Sequence, residues 1–219
     1  MQPEYLNNNK WYKMWKDEQS PLSREVDPSY RDQFSKEILI LLGDATGKKV
    51  LEFGCGTGLL FESYGFDKSD YLGVDFSDSM LSVFKSNYPE VRLQQSPAED
   101  FKVNEKFDLI FSCGMIQYLS PRQLSTHISN MKNMLNSNGK IILAAIPWKA
   151  AKLSYLRNDH GTGRSILELI KLYLKGNCIS PMGYWYSMRT FKKLAKKYNL
   201  NYTVYGSLHY HYRMHVVLT

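Results

Sequence analysis

The 219-residue chain has only three cysteines, Cys55, Cys113 and Cys178, odd in number and far apart. That spacing excludes a disulfide framework and a zinc knuckle. The chain also lacks a long apolar run. A candidate such as ILILLG at 38–43 falls far short of the ~20 residues a membrane helix needs. The opening stretch, MQPEYLNNNKWYKMWK, lacks the basic-then-apolar layout of a secretory signal. These absences lead to the expectation of a cytoplasmic protein with no membrane insertion. Acids are scarce in one part only. Residues 149–219 hold twelve Lys/Arg against Asp159 and Glu168, whereas residues 1–148 hold sixteen bases and nineteen acids. A basic third attracts anionic small molecules, nucleic acid or acidic lipid. Within RTFKKLAKKYNL (189–200), Phe191, Leu194, Ala195 and Tyr198 keep helical spacing between the lysines, the pattern of a solvated helix face. Internal repeats and low-complexity tracts are absent.

Strands alternating with helices are present. From Ser29, Tyr30, Phe34, Ile38, Leu41 and Leu42 recur at helical spacing, and Gly43 and Gly47 close that helix. KKVLEFGCGTG is a buried strand running into glycines. YLGVDFSDSML is a second strand, followed by a helix capped by Ser77 or Asp78. VRLQQSPAED and KFDLIFSCGMIQYL supply the third and fourth strands. SPRQLSTHISNMKNMLNSNG reads as a helix with Pro121 in its first turn and a stop at Gly139. KIILAAIP is a fifth strand. After Pro147 the regularity breaks into WKAAKLSYLRNDHGTGRS, a mobile connection, and ILELIKLYLKG, an added helix. A helix, MRTFKKLAKKYNL, and two strands, NYTVYGS and YRMHVVLT, follow. The pattern predicts an α/β fold: a three-layer, doubly wound sheet of about seven strands, mostly parallel with an antiparallel last strand. A single domain over 1–219 is expected. It carries an aromatic N-terminal segment at 1–34 and a lid insertion at 148–188.

LEFGCGTG places Gly54, Gly56 and Gly58 directly after a strand, where the backbone can turn tightly and approach a ligand. Asp75 ends the next strand, the place from which a carboxylate bonds ribose hydroxyls. Both features suit nicotinamide and adenosyl cofactors alike. Two details separate them. The dinucleotide fingerprint is G-x-G-x-x-G, and this loop is G-x-G-x-G. Glu52 also stands just before the loop, where it would repel a pyrophosphate and tolerate a cationic ligand.

VLEFGCGTG (50–58), GVDFSDSML (73–81), SPAED (96–100), FDLIFSCGMIQYL (107–119) and LNSNGKIILAAIP (135–147) together resemble the ordered motifs of class I S-adenosylmethionine-dependent methyltransferases, in the small-molecule branch. The resemblance spans about residues 35–147 and implies S-adenosyl-L-methionine as cofactor and S-adenosyl-L-homocysteine as product. It implies that Gly54 and Gly56 lie against the methionine portion, with Glu52 nearby, and that Asp75 holds the ribose. By the same likeness Phe76 and Met80 flank the adenine, and Ala98 and Glu99 meet its edge. Cys113, Gly114 and Met115 border the methionine end. Many relatives carry an Asp before the Ala of SPAED. Here that position is Pro97, so adenine recognition would rest on backbone groups and Glu99. Methyl transfer from a sulfonium needs no enzyme thiol, so Cys55 and Cys113 read as structural, and no metal is expected.

The acceptor is less legible. The N-P-P-Y found in methyltransferases acting on exocyclic base amines is absent, and the resemblance places Tyr118 in an acceptor pocket. Tyr12, Trp148, Tyr184 and Trp185 are aromatic candidates in the segments that, by the same resemblance, set acceptor specificity, alongside Met115 and Arg213. Aromatics over a basic third suit a small polar, anionic acceptor, as in O-methylation of a nucleotide- or phosphate-linked sugar. The alternatives are an RNA-directed methyltransferase, an N-methyltransferase of a small metabolite, and a non-catalytic cofactor-binding partner. The aromatics could instead form the lid's own small core. In LHYHYRMH (208–215), strand alternation puts His209, His211, Arg213 and His215 on one face. His215 reads as a structural histidine. His209 and His211, with His160 as rival, are the candidates for a general base.

Overall fold

The computed structural model describes residues 28–158, 170, 178–179 and 182–219. Tyr12, His160, most of the aromatic segment 1–34 and the stretch expected to form the added lid helix lie outside them, apart from residue 170. Helix α1 (Pro28–Leu42) leads into β1 (Val50–Phe53), the short α2 (Phe61–Tyr64), β2 (Tyr71–Asp75), α3 (Asp78–Asn87), β3 (Arg92–Gln95) and β4 (Phe107–Cys113). A 3₁₀ turn (Ile116–Tyr118) precedes α4 (Pro121–Met134) and β5 (Leu135–Pro147). Beyond a second 3₁₀ turn (Lys149–Ala151) come α5 (Lys152–Asn158), β6 (Cys178–Ile179), β7 (Gly183–Tyr184), α6 (Met188–Tyr198), β8 (Tyr202–Gly206) and β9 (Arg213–Leu218).

Seven strands form one sheet in the order β3-β2-β1-β4-β5-β9-β8. β1 to β5 pair in parallel, and β9 enters antiparallel between β5 and β8. Alternation along the strands divides the core into two layers. Val50, Tyr71, Leu109, Phe111, Ile142 and Ala144 face α1, α2 and α3. Leu51, Phe53, Val74, Ile110, Ile141 and Leu143 face α4 and α6. The expected three-layer fold is therefore the observed one. β5 breaks its own period at Ala145, which has φ 57. Its register with β9 shifts between Leu143 and Ile146, so Ile146 joins the same layer as Leu143.

Caps at the sheet's carboxyl edge place the helices that frame the site. Ser77 Oγ accepts from the Met80 N–H and starts α3. Ser120 and Gln123 form a reciprocal capping box ahead of Pro121 and start α4; such a cap contributes about 1 kcal/mol. Two expectations are corrected. α4 ends at Met134, not at Gly139, because Leu135 already pairs with Phe107 of β4. Gly139 lies within β5, where a Cβ would meet the Asp108 carbonyl oxygen at 3.0 Å. The second correction concerns the C-terminal stretch. Residues 207–212 are a turn, not a strand. Ser207 Oγ accepts from the N–H groups of His209 and Tyr210, and the Arg213 N–H donates to the Tyr210 carbonyl. The common face of His209, His211 and Arg213 therefore does not exist; alternation begins at Arg213.

Candidate active site

The strand order reverses between β1 and β4, and ligands of doubly wound sheets bind at the carboxyl edge of such a switch point. The β1 and β4 loops meet there: a Cβ on Gly54 would lie 3.0 Å from the Met115 side chain. Gly54, Gly56, Gly58 and Gly114 all have positive φ. A Cβ on Gly56 or Gly114 would meet nothing within 4 Å, so at these two points the backbone faces open space. Gly58 differs. A Cβ there would be 2.5 Å from the Phe84 ring, so its role is packing.

Asp75, only 9% exposed, joins the glycine loop to α3. Its Oδ2 accepts from the Gly56 N–H and its Oδ1 from the Ser77 N–H, both at 2.9 Å. Burial raises its pKa against the pull of those amides. Glu52 is also buried, and its Oε2 accepts from the Tyr71 hydroxyl at 2.5 Å. Burial pushes its pKa up to about 8, with the Asp75 charge adding to the rise. Burial pushes the Cys113 thiol up to about 12, and the Cys55 thiol well above its ordinary value. Both stay neutral, as a structural role requires. Met80 is buried at the start of α3, and Phe76 is half-buried beside it.

Three side chains of α4 grip the loop after β3. Gln123 Nε2 donates to Glu99 Oε1 at 2.5 Å, Asn130 Nδ2 donates to the Glu99 carbonyl at 2.7 Å, and His127 Nδ1 donates to the Ala98 carbonyl at 2.9 Å. Burial lowers the His127 pKa to about 4, so its ring is neutral. The Glu99 carboxylate is engaged by Gln123, and the Ser96 N–H, just before Pro97, is engaged by the Asp75 carbonyl at 2.9 Å. No sequence signal marked Gln123, His127 or Asn130 for this role.

Arg213 opens β9 opposite Pro147, at the same carboxyl edge. Its Nη1 donates to Gln117 Oε1 at 3.0 Å and to the Ala145 carbonyl. Its guanidinium carbon lies 5.7 and 5.5 Å from the ring centroids of Tyr210 and Tyr212. No carboxylate pairs with it among the described residues. Half-buried Trp148 donates its backbone N–H to the Tyr212 carbonyl, and Tyr186 beside it donates its hydroxyl to the Leu119 carbonyl. Tyr118 and Tyr184 are half-buried; Gly183, next to Tyr184, lies directly against Gln117. Trp185 departs from expectation. It is 1% exposed and packs with Tyr155, Met182 and Tyr212 in a small separate cluster, so it lines no open pocket. His209 is half-buried and His211 exposed, its ring edge-on to Tyr212. Gln117, Tyr210 and Tyr212 were missed as site residues. The period-2 pattern of 208–215 concealed the turn that brings the tyrosines under Arg213.

Residues 50–139 match the family model described as a methyltransferase domain. Over 110 residues the chain is 32% identical to the ubiquinone biosynthesis O-methyltransferase of Haemophilus ducreyi, covering 46% of each chain. Over 101 residues it is 26% identical to dTDP-3-amino-3,4,6-trideoxy-alpha-D-glucopyranose N,N-dimethyltransferase of Streptomyces venezuelae, covering 45% of this chain and 42% of that protein. The chain thus spans about half the length of the relatives it matches. Its fold superposes on a crystal structure of an S-adenosylmethionine-dependent methyltransferase from Clostridium acetobutylicum ATCC 824. The TM-score is 0.59 at 16% identity, covering 97% of this chain and 98% of that one. Residues 50–139 thus match a methyltransferase domain, and the fold is the class I, Rossmann-like fold of S-adenosylmethionine-dependent methyltransferases. The residues present fit that cofactor. Open space at Gly56 and Gly114, beside the buried carboxyl groups of Asp75 and Glu52, makes a cradle that a cationic sulfonium suits.

Proposed function

We propose that the protein transfers a methyl group from S-adenosyl-L-methionine to a small anionic acceptor, a phosphate- or nucleotide-linked sugar, releasing S-adenosyl-L-homocysteine. The observation that carries the acceptor class is Arg213: a half-buried guanidinium at the cleft, with no carboxylate partner among the described residues. Such a charge favours an anion that completes its pairing. The bound cofactor supplies a methyl carbon on a positively charged sulfur. The protein's own part is alignment and exclusion of water. In this reading Asp75 accepts from the ribose hydroxyls, Gly54, Gly56 and Gly114 let the backbone approach, and Phe76 and Met80 flank the adenine. Ala98 and the Glu99 backbone meet the adenine edge. Arg213 orients the acceptor, with Met115, Tyr118, Trp148 and Tyr184 along its walls. The turn at 207–212 carries the proposed general bases His209 and His211. Replacing each by alanine tests them: near-normal turnover in both variants would remove them from the mechanism. Carbohydrate modification in the cytoplasm, by one domain with a lid at 148–188, is the setting this reading implies. Among the described residues no helix is long and apolar enough to cross a membrane.

The test is a panel of nucleotide sugars, sugar phosphates and neutral sugars assayed for labelled methyl product. Turnover confined to anionic acceptors is expected; turnover of a neutral acceptor alone would overturn the proposal. The likeness to a sugar N,N-dimethyltransferase favours an amine as the alternative nucleophile on the same acceptor class. A second reading rests on α6, whose Arg189, Lys192, Lys193, Lys196 and Lys197 are all exposed. If RNA is the acceptor, RNA binding will weaken steeply with salt.

A further inference from the structure

Ala145 is strained. Apart from Asn199 at the end of α6, it is the only non-glycine residue with positive φ among the described residues. Two side chains of β9 hold it from opposite ends. His215 Nδ1 accepts from the Ala145 N–H at 3.3 Å, and Arg213 Nη1 donates to the Ala145 carbonyl. A ring nitrogen that accepts from an amide carries no proton, so the proton of His215 is on Nε2. Nε2 then donates to Glu37 Oε1 at 3.2 Å. Glu37 comes from α1 and is 7% exposed, and His215 is 1% exposed. The same carboxylate accepts from the Leu208 N–H at 2.7 Å and from the Ser207 hydroxyl at 3.0 Å. One buried acid therefore fixes both the tautomer of His215 and the turn that delivers the chain to Arg213. A guanidinium has five N–H donors. Two bonds, to Gln117 and Ala145, and a long 3.9 Å contact with the Met182 sulfur leave donors for a ligand.

We infer that Glu37 and His215 are positioning residues for Arg213. They lock the left-handed Ala145 backbone from the α1 side, and the guanidinium, braced on the Ala145 carbonyl, is thereby held at the acceptor end of the cleft. Neither residue touches the reacting atoms. The inference rests on the reading of Arg213 as the group that binds the acceptor's anion.

Asparagine and glutamine separate the two nitrogens of His215. His215→Asn puts an acceptor oxygen near the place of Nδ1 and keeps the bond to Ala145. His215→Gln puts its polar end near the place of Nε2 and leaves the Ala145 N–H unpaired. The probe is inorganic phosphate, titrated by calorimetry into the full chain saturated with S-adenosylhomocysteine, with S-adenosylhomocysteine affinity and Tm measured for each variant. Arg213→Gln is expected to abolish phosphate binding. His215→Gln is expected to weaken it by about tenfold, the size of one lost buried partner, and His215→Asn by no more than about threefold. Affinity for S-adenosylhomocysteine should be unchanged in all three. If His215→Gln binds phosphate like the unaltered protein while Arg213→Gln does not, the positioning role fails and the anion reading stands. If Arg213→Gln binds normally, or the unaltered protein binds no phosphate, both fail. Equal weakening by asparagine and glutamine, or equal loss of S-adenosylhomocysteine binding, would show a general structural role and overturn the inference.

Discussion

The Tyr71 hydroxyl donates to the Glu52 carboxylate between neighbouring strands, with both side chains closed off from solvent. The pKa of Glu52 rises from 4.5 to about 8. Between those values the unfolded chain has lost this proton and the folded chain keeps it, so stability from this group falls as pH rises from 4.5 to 8. Glu52→Gln keeps an acceptor for Tyr71 and removes the titration. The Tm of the variant minus that of the unaltered protein is therefore expected to grow steadily from pH 5 to 8, at about 2–4 °C for each kcal/mol relieved. A difference independent of pH would contradict the raised pKa.

The same proton has a binding consequence. A cationic ligand beside Glu52 favours its ionised form. Binding of S-adenosylmethionine at pH 7 should release a fraction of a proton, measurable by calorimetry in buffers of different ionisation heat. Affinity should rise from pH 6 to pH 8 by up to about tenfold per unit. Glu52→Gln is expected to abolish both effects.

Gly56 and Gly58, two residues apart, should fail differently. Gly58→Ala drives a methyl into the Phe84 ring and should cost about 1–3 kcal/mol of stability. Gly56→Ala meets no neighbour and pays only for its positive φ, about 1–2 kcal/mol. Its methyl projects into the open space of the cleft, so loss of cofactor affinity should exceed loss of stability. Melting curves and S-adenosylhomocysteine titrations of the two variants distinguish the cases.

Ser112 is fully buried in β4, and its hydroxyl finds no partner among the described residues. Ser112→Ala removes an unsatisfied group at little change in volume. It is expected to raise stability by up to about 1 kcal/mol, or about 2–4 °C in Tm.

The parallel sheet was legible because each of β1, β2 and β4 is a short apolar run ended by glycine or aspartate, and because Ser77 and Ser120 announce their helices. The loop after β1 was legible for the same reason: Gly54, Gly56 and Asp75 have conformations and bonds fixed by backbone geometry just beyond a strand. The surroundings of Arg213 were not. Their features depend on long-range pairing that local pattern does not encode. Leu135 leaves the helix because β4 claims its backbone. His209 and His211 leave the strand because Ser207 captures their turn. Trp185 looks the same in sequence whether it faces a ligand or Tyr155. Glu37 gave no sign that its partner would be His215, nearly the whole chain away.

β9 lies in the sheet between β5 and β8 but comes after both in the chain. As the chain emerges during synthesis, β5, with Ile141 to Ile146 almost wholly apolar, has one edge unpaired until the final strand arrives. Among the described residues β8 likewise has no neighbour before then, since its ladder there is with β9 alone. Shortening the chain before Arg213 would thus not trim the protein. It would leave an open apolar strand edge, the kind of surface through which chains associate.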